Sequence, residues 1–240
     1  MERISGRRFN QVRDLTLETN INLHAEGSCL ISLGNTKVIC TASIEENVPR
    51  FLRDTGKGWL TAQYGMLPRS TNSRMKREAS DGRQSGRTQE IQRLIGRSLR
   101  AGIDLKKLGE RQIIIDCDVI QADGGTRTAA INGGFVALKI AINKLCKQNI
   151  LKHNPIKNNI AAISVGLMHD MAIIDLDYLE DSNIDVDANF VINNKAELIE
   201  VQASAEGANF SKKQFDQIYQ LASDACLEIC KLQDEASENC

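Results

Sequence analysis

Ile113-Ile114-Ile115-Asp116-Cys117-Asp118-Val119-Ile120 runs into Ala122-Asp123-Gly124-Gly125-Thr126-Arg127-Thr128, and then into a segment with apolar residues at Ile131, Phe135, Leu138, Ile142 and Leu145. The first run is rich in β-branched residues and reads as a strand. The steps of three or four in the last segment predict a helix with one face on the sheet. Between them two glycines let the backbone turn sharply. The first N–H groups of a helix lack internal partners and carry the positive end of its dipole, so strand, glycine turn and helix form an anion site within reach of Arg127. The plainer reading of the same residues is an ordinary strand-to-helix connection with a surface arginine.

Working outward, Leu30 to Leu33 and Lys37 to Thr41 flank Gly34-Asn35, a dipeptide suited to a hairpin. Trp59 to Tyr64 reads as a further strand that Pro68 ends. The opening from Arg3 to Leu23 is polar and shows little periodicity. After a polar break at Asn154 to Asn159, Ile160 to Gly166 and Met171 to Leu176 read as paired strands. Further strands follow at Ala188 to Ile192 and Ala196 to Ala203. A last helix is expected from Ser211, its cap, to Leu232. The fold class is therefore α/β. We expect one domain over residues 1–240, built from two β-sheet/α-helix halves at about 1–152 and 160–232, with 233–240 a frayed acidic tail.

The 240 residues suffice for a sizeable core, and a quarter of them are charged, as in a globular protein in water. The N-terminus is polar from Met1-Glu2-Arg3, so neither a signal peptide nor a membrane span is expected, and no membrane partner. The seven cysteines lie mostly in apolar stretches without a C-x-x-C pair, the usage of a reducing, cytoplasmic compartment. Net charge is −1, but its distribution is uneven. Arg50 to Arg100 holds twelve Lys or Arg against four Asp or Glu, and Asp170 to Glu206 holds ten Asp or Glu against one Lys. The first segment suits phosphates and the second suits divalent cations, unless the two merely neutralise each other.

Ser85-Gly86-Arg87-Thr88 opens a second predicted helix, so Arg87 and Arg127 each sit in the first turn of a helix after glycine. Two such sites point to one phosphate pocket. The segment from Arg69 to Arg87, with Arg74 and Arg77, is basic, reads as a loop from its Gly, Ser and Asn, and offers RNA a docking surface. On the helix, Arg93 and Arg97 lie opposite the apolar face of Ile91, Leu94, Ile95 and Leu99, and are expected with Arg69, Arg74 and Arg77 to bind RNA. Mg²⁺ takes oxygen ligands and usually only one or two protein carboxylates. Asp181 and Asp187 suit it, but Asp185 shares a strand face with Asp187, and alternation does not choose among them. The three histidines are scattered and have no ligand spacing.

Three longer stretches carry a resemblance. They are Gly56-Lys57-Gly58-Trp59 with Tyr64-Gly65-Met66-Leu67-Pro68-Arg69, then Gln84-Ser85-Gly86-Arg87-Thr88-Gln89-Glu90-Ile91-Gln92-Arg93-Leu94-Ile95-Gly96-Arg97, then Cys117 to Thr128. From about Arg3 to Leu232 the chain resembles the ribonuclease PH family, phosphate-dependent 3′-to-5′ exoribonucleases that trim tRNA precursors. The resemblance implies that Arg87, Gly125, Thr126 and Arg127 bind inorganic phosphate, the attacking co-substrate. It implies that Asp181 and Asp187 hold Mg²⁺, and that Arg69, Arg74 and Arg77 serve RNA binding and ring assembly. It further implies nucleoside diphosphates as products, a reversible nucleotidyl transfer, and a homo-hexamer arranged as a trimer of dimers. Departures from the family pattern are Asp14 and Asn209 for proline, Ala188 for methionine and Ala203 for glycine. None replaces an expected phosphate or metal ligand. Two other classes compete: a non-catalytic ring subunit of the exosome type, which usually lacks the arginines or the acidic pair, and a hydrolytic metal nuclease, which needs no second anion pocket.

Overall fold

Gly34-Asn35 turns β2 (Gly27–Leu33) back into β3 (Thr36–Glu45), as the sequence predicts, with Leu33 opposite Thr36. The computed structural model of the chain describes residue 3, residues 5–205 and residues 209–238. β1 (Leu15–Thr19) pairs antiparallel with β2, although its short alternation was not read as a strand: only Leu15, Leu17 and Thr19 are half-buried, the pattern of an edge. β4 (Trp59–Met66) and β5 (Gln112–Gln121) complete a five-stranded sheet in the order β1-β2-β3-β5-β4. β4 and β5 are parallel, which requires a crossover, and α1 (Glu78–Asp81), α2 (Gly86–Ala101) and α3 (Leu105–Leu108) supply it.

The second half is a four-stranded antiparallel sheet. β6 (Ile160–Met168), β7 (Met171–Ile174), β8 (Val186–Asn193) and β9 (Leu198–Ala205) lie in the order β7-β6-β8-β9. The turn of helix α5 (Tyr178–Asp181) sits in the acidic loop before β8. The last helix, α6 (Lys212–Glu238), is opened by Ser211, whose Oγ accepts from Gln214 N at 3.3 Å. It does not fray at residue 233 as the acidic sequence suggests. Gln233 is fully buried and donates to the Ile160 carbonyl at 2.9 Å, and Ser237 is also buried. The tail continues as helix to Glu238, with the Gln233 amide group anchored on β6 and Ser237 Oγ donating to the Gln233 carbonyl of its own helix at 2.7 Å; residues 239–240 lie outside the described residues.

α4 (Thr126–Lys147) joins the halves. The expected stripe is buried, but so are Ala129, Ala130, Val136, Ala137 and Ala141, and the small-residue face is the one that lies on the first sheet: a Cβ on Gly133 would stand 2.7 Å from Ile31 of β2, and one on Gly27 of β2 would stand 2.0 Å from the Ala137 carbonyl oxygen. By length and composition α4 could cross a membrane, yet 78% of its most apolar window is buried inside the protein. It is the core helix. Opposite it, every residue of β6 is buried, between α4 and α6. β7 covers only Val165 to Met168 of β6. Beyond that point the buried Asn132 of α4 takes the place of a neighbouring strand, donating to Ala162 O at 2.9 Å and accepting from Ala162 N at 2.8 Å. The side-chain amide satisfies a strand edge that would otherwise be buried unpaired.

A charged network ties the N-terminus to α5. Arg3 forks onto Glu180 at 2.7 and 2.8 Å, with both side chains fully enclosed, and Ser5 and Arg7 add donors at 2.8 and 2.9 Å. Buried charges persist only when paired this completely. Burial disfavours the Glu180 carboxylate, but the hydrogen bonds from Arg3 and Ser5 outweigh it and hold its pKa at about 2. Because the folded pKa lies below the ordinary glutamate value of roughly 4.3, Glu180 stabilises the fold above that pH and loses the contribution as pH falls towards 2. Denaturant titrations at stepped pH should show an acid loss of about 3 kcal/mol over that window from this group. Glu180→Gln should lower neutral stability and flatten the acid limb.

Candidate active site

The turn between β5 and α4 is built on Gly124 and Gly125, whose φ values are +73° and +67°. At Gly124 a Cβ would also stand 2.4 Å from the Leu176 carbonyl oxygen and 2.6 Å from the Asp177 carbonyl carbon. The turn therefore packs backbone to backbone against the loop that leads to α5. Gly125 caps α4, and Thr128 Oγ1 donates back to its carbonyl at 2.9 Å. Thr126 is held by the Tyr64 hydroxyl, which donates to its Oγ1 at 2.9 Å. Arg127 is half-buried, and its Nη1 donates to Gln202 Oε1 on β9 at 3.1 Å. Burial pushes the Tyr64 phenol up, while its bond to Thr126 and the charges of Arg87 and Arg127 pull it partly back. Tyr64 lines the same cavity as both arginines.

Arg87 lies in the first turn of α2. Ser85 caps that helix, accepting from Thr88 N at 3.1 Å, and Glu78 accepts from Thr88 Oγ1 and Ser85 N at 2.7 and 3.0 Å. These bonds outweigh slight burial and hold the Glu78 carboxyl below its usual range. The N-termini of α2 and α4 open onto one cavity of about 1180 Å³, lined by Arg87, Gly125, Thr126 and Arg127. Asp181, at the end of α5, and Asp187, on β8, line the same cavity with Ser164 and Asn189. Asn189 Nδ2 reaches Asp187 at 3.4 Å.

Not every expected residue converges. Arg69 lines the cavity, whereas Arg74 and Arg77 are exposed on the same loop outside its lining. Arg93 is exposed and also outside the lining, and Arg97 forks onto Glu200 of β9 at 2.5 and 2.7 Å. The acidic alternatives separate as well. Asp185 accepts from the backbone N of His169 at 2.7 Å in the β6–β7 turn, while Asp181 and Asp187 face the cavity. Tyr64, Ser164 and Asn189 carry no motif of their own in the sequence: each sits inside a strand, and only the register shows that it faces the cavity.

At its acidic end the cavity offers only hard donors, the carboxylates of Asp181 and Asp187 with the Ser164 hydroxyl and the Asn189 amide; Glu78 and Asp123 line it too, but accept from Ser85 and Thr88 and from Asn35 and Tyr178. Among the described residues no group of three or more His, Cys, Asp or Glu is gathered as for a closed metal cage. Two carboxylates beside an anion pocket are what Mg²⁺ requires when substrate phosphate and water fill the remaining positions.

The chain matches domain 1 of the 3′ exoribonuclease family over residues 11–143 and domain 2 over residues 158–225. It belongs to the ribonuclease PH family. Ribonuclease PH of Cereibacter sphaeroides strain KD131 is 56% identical over 234 residues, covering 98% of this chain and 99% of that protein. The same protein from strain ATCC 17029 is likewise 56% identical over 234 residues, with the same shares covered. Among solved structures, an Archaeoglobus fulgidus exosome with RNA bound to the active site matches with a TM-score of 0.80 at 20% identity, covering 96% of this chain and 92% of that one. Rice (Oryza sativa) Rrp46 matches with a TM-score of 0.78 at 19% identity, covering 97% and 98%. These two likenesses establish the shared fold. As a family member, the chain is a phosphate-dependent 3′-to-5′ exoribonuclease of tRNA processing, with inorganic phosphate as co-substrate and RNA as the polymer it shortens.

The glycine turn offers a direct test. Gly124→Ala combines a left-handed φ with a backbone overlap, so it should cost a few kcal/mol, on the order of 2–4, and lower the thermal midpoint. An unchanged melting curve would mean that the turn is not locked to the Leu176–Asp177 loop.

Proposed function

We propose that inorganic phosphate is held between the N-termini of α2 and α4 by Arg87, Gly125, Thr126 and Arg127, while Asp181 and Asp187 hold Mg²⁺ beside the scissile phosphodiester. The observation that carries this reading is that both arginine-bearing helix starts and both carboxylates line one cavity. Bringing phosphate to an RNA phosphodiester joins two anions, so the repulsion must be offset by fixed positive charge. Arg87 and Arg127, with the free N–H groups at each helix start, supply it without reorganising. Tyr64 donates to Thr126 and so leaves the threonine hydroxyl proton available to phosphate. Phosphate arrives already ionised, so the attack needs no dedicated base. When bound, Mg²⁺ supplies charge stabilisation at the phosphoryl oxygens and the leaving 3′ oxygen.

Arg69 lines the cavity, and Arg74 and Arg77 share its loop, an arrangement that supports guidance of the RNA backbone. Arg93 and Arg97 have no part in this reading: neither lines the cavity, and Arg97 has a carboxylate partner. We read the substrates as tRNA precursors with 3′ extensions, the products as nucleoside diphosphates, and the transfer as reversible. The working enzyme is a homo-hexamer, a trimer of dimers, in the cytoplasm. Asn132 and α4 support the further reading that residues 1–240 act as one domain rather than two separable ones.

With Mg²⁺ and a 3′-extended tRNA precursor, nucleoside diphosphates should appear only when phosphate is added. Monophosphates released without phosphate would overturn phosphorolysis. Arg127→Ala removes a charge-assisted contact worth about 1.5–3 kcal/mol, so kcat/KM for phosphate should fall roughly tenfold to a hundredfold with the fold intact. Unchanged phosphate kinetics would take Arg127 out of the pocket. Asp187→Asn should abolish metal-dependent turnover while the RNA is still retained on a gel, and full activity would remove Asp187 from the site.

A further inference from the structure

Arg13 makes contacts that the reaction as described does not use. It lies in the polar opening of the chain, 9% exposed, and its side chain crosses the hairpin turn so closely that a Cβ on Gly34 would stand 2.6 Å from its Cδ. One edge of its guanidinium is fixed by Asp175, with Nε and Nη2 donating to the two carboxylate oxygens at 2.9 and 2.7 Å. The other side reaches the phosphate turn: Nη1 donates to the Asp123 carbonyl at 2.5 Å, and a Cβ on Gly125 would stand 3.1 Å from Nη2. Asp175 is completely buried at φ +55° and accepts also from the Arg13 backbone N at 2.7 Å and from Arg7 at 3.2 Å. Two residues after Asp175 comes Asp177, the cap of α5, the helix that ends in Asp181.

We infer that Arg13, clamped by Asp175, is a positioning residue that sets the phosphate-binding turn at residues 123–127 against the acidic loop carrying Asp181. This inference rests on the assignment of phosphate to that turn. A turn with two adjacent left-handed glycines has little stiffness of its own. Its carbonyls need an external anchor if the N–H groups after it are to stay aimed at one place. The planar fork of arginine can hold a carboxylate on one edge and a carbonyl on another, whereas a lysine ammonium keeps the charge without the fork. Arg3 contrasts with Arg13. It too is buried and forked onto a carboxylate, yet its hydrogen bonds go to residues 8, 11, 174, 175 and 180 and none to the phosphate turn. The dependence on Asp175 is mutual, since removing either partner leaves the other without its main bond.

The test uses the full chain with Arg13→Lys, Asp175→Asn and the double variant, each measured for thermal midpoint, phosphate KM, kcat and RNA retention on a gel, with Arg127→Ala as reference. Asparagine suits position 175 because it tolerates a left-handed backbone. Misplacing the turn should raise phosphate KM on the order of 10- to 100-fold in folded Arg13→Lys, with RNA retention unchanged and turnover partly restored by excess phosphate. Asp175→Asn should act in the same direction, and the double variant should be no worse than the stronger single, as for one shared interaction. Folded variants with wild-type phosphate KM overturn the inference, as do two variants that both fail to fold, since the role is then structural. If Arg127→Ala is altered in phosphate KM and Arg13→Lys is not, this inference fails alone. If neither is altered, the assignment of phosphate to the turn fails.

Discussion

Helix α4 is buried around most of its circumference, and a helix of that kind exists only where two layers cover it. The first sheet takes the side of Gly133, Ala137 and Ala141, where a Cβ on Gly27 of β2 would stand 2.0 Å from the Ala137 carbonyl oxygen, and β6 of the second sheet takes the side of Asn132. Ala129, Ala130, Ala137 and Ala141 keep the helix thin enough for both to reach it. The site follows from that sandwich. The N-terminus of α4 follows the end of β5, an interior strand of the first sheet, and there the glycine turn faces the loop before β8, and the arginine after it reaches β9.

Charge organises what packing brings together. The basic crossover between β4 and β5 and the acidic loop before β8 carry opposite surpluses, and they meet across a cavity rather than cancelling. Cancellation occurs elsewhere, at Arg3 with Glu180, at Arg13 with Asp175 and at Arg97 with Glu200, where guanidinium forks satisfy the carboxylates. The positive groups at the cavity stay available to a substrate because the structural carboxylates already have their own arginines.

Local signals made much of this legible. The Gly34-Asn35 hairpin, the Ser85 cap of α2 and the glycine turn before α4 depend on neighbours in sequence, and residues within a few positions of one another announced them. What escaped depends on residues far apart. The opening of the chain looked featureless because the partners of Arg3 and Arg13 lie 177 and 162 residues away. The second buried face of α4 was hidden because alanines lining a thin contact resemble alanines facing solvent. The pairing of Arg97 with Glu200 was hidden for the same reason, since nothing nearby in sequence reveals it. Two departures from the family pattern are also related in space: Ala188 and Ala203 stand directly opposite each other on β8 and β9, so the substitutions share one cross-strand position beside Asp187.

The N-terminal clamp has a consequence for how the protein is made. Arg3 and Arg13 are synthesised long before their carboxylates, which follow only at residues 180 and 175. A nascent chain that has completed the first sheet and α4 carries the basic half of the cavity with its turn unanchored and its acidic half not yet synthesised. Closure by the opening segment is thus a late step in a vectorial process. The two ends of a long stretch of chain must find each other before the turn is anchored, so the cavity is among the last parts of the molecule to reach its final shape.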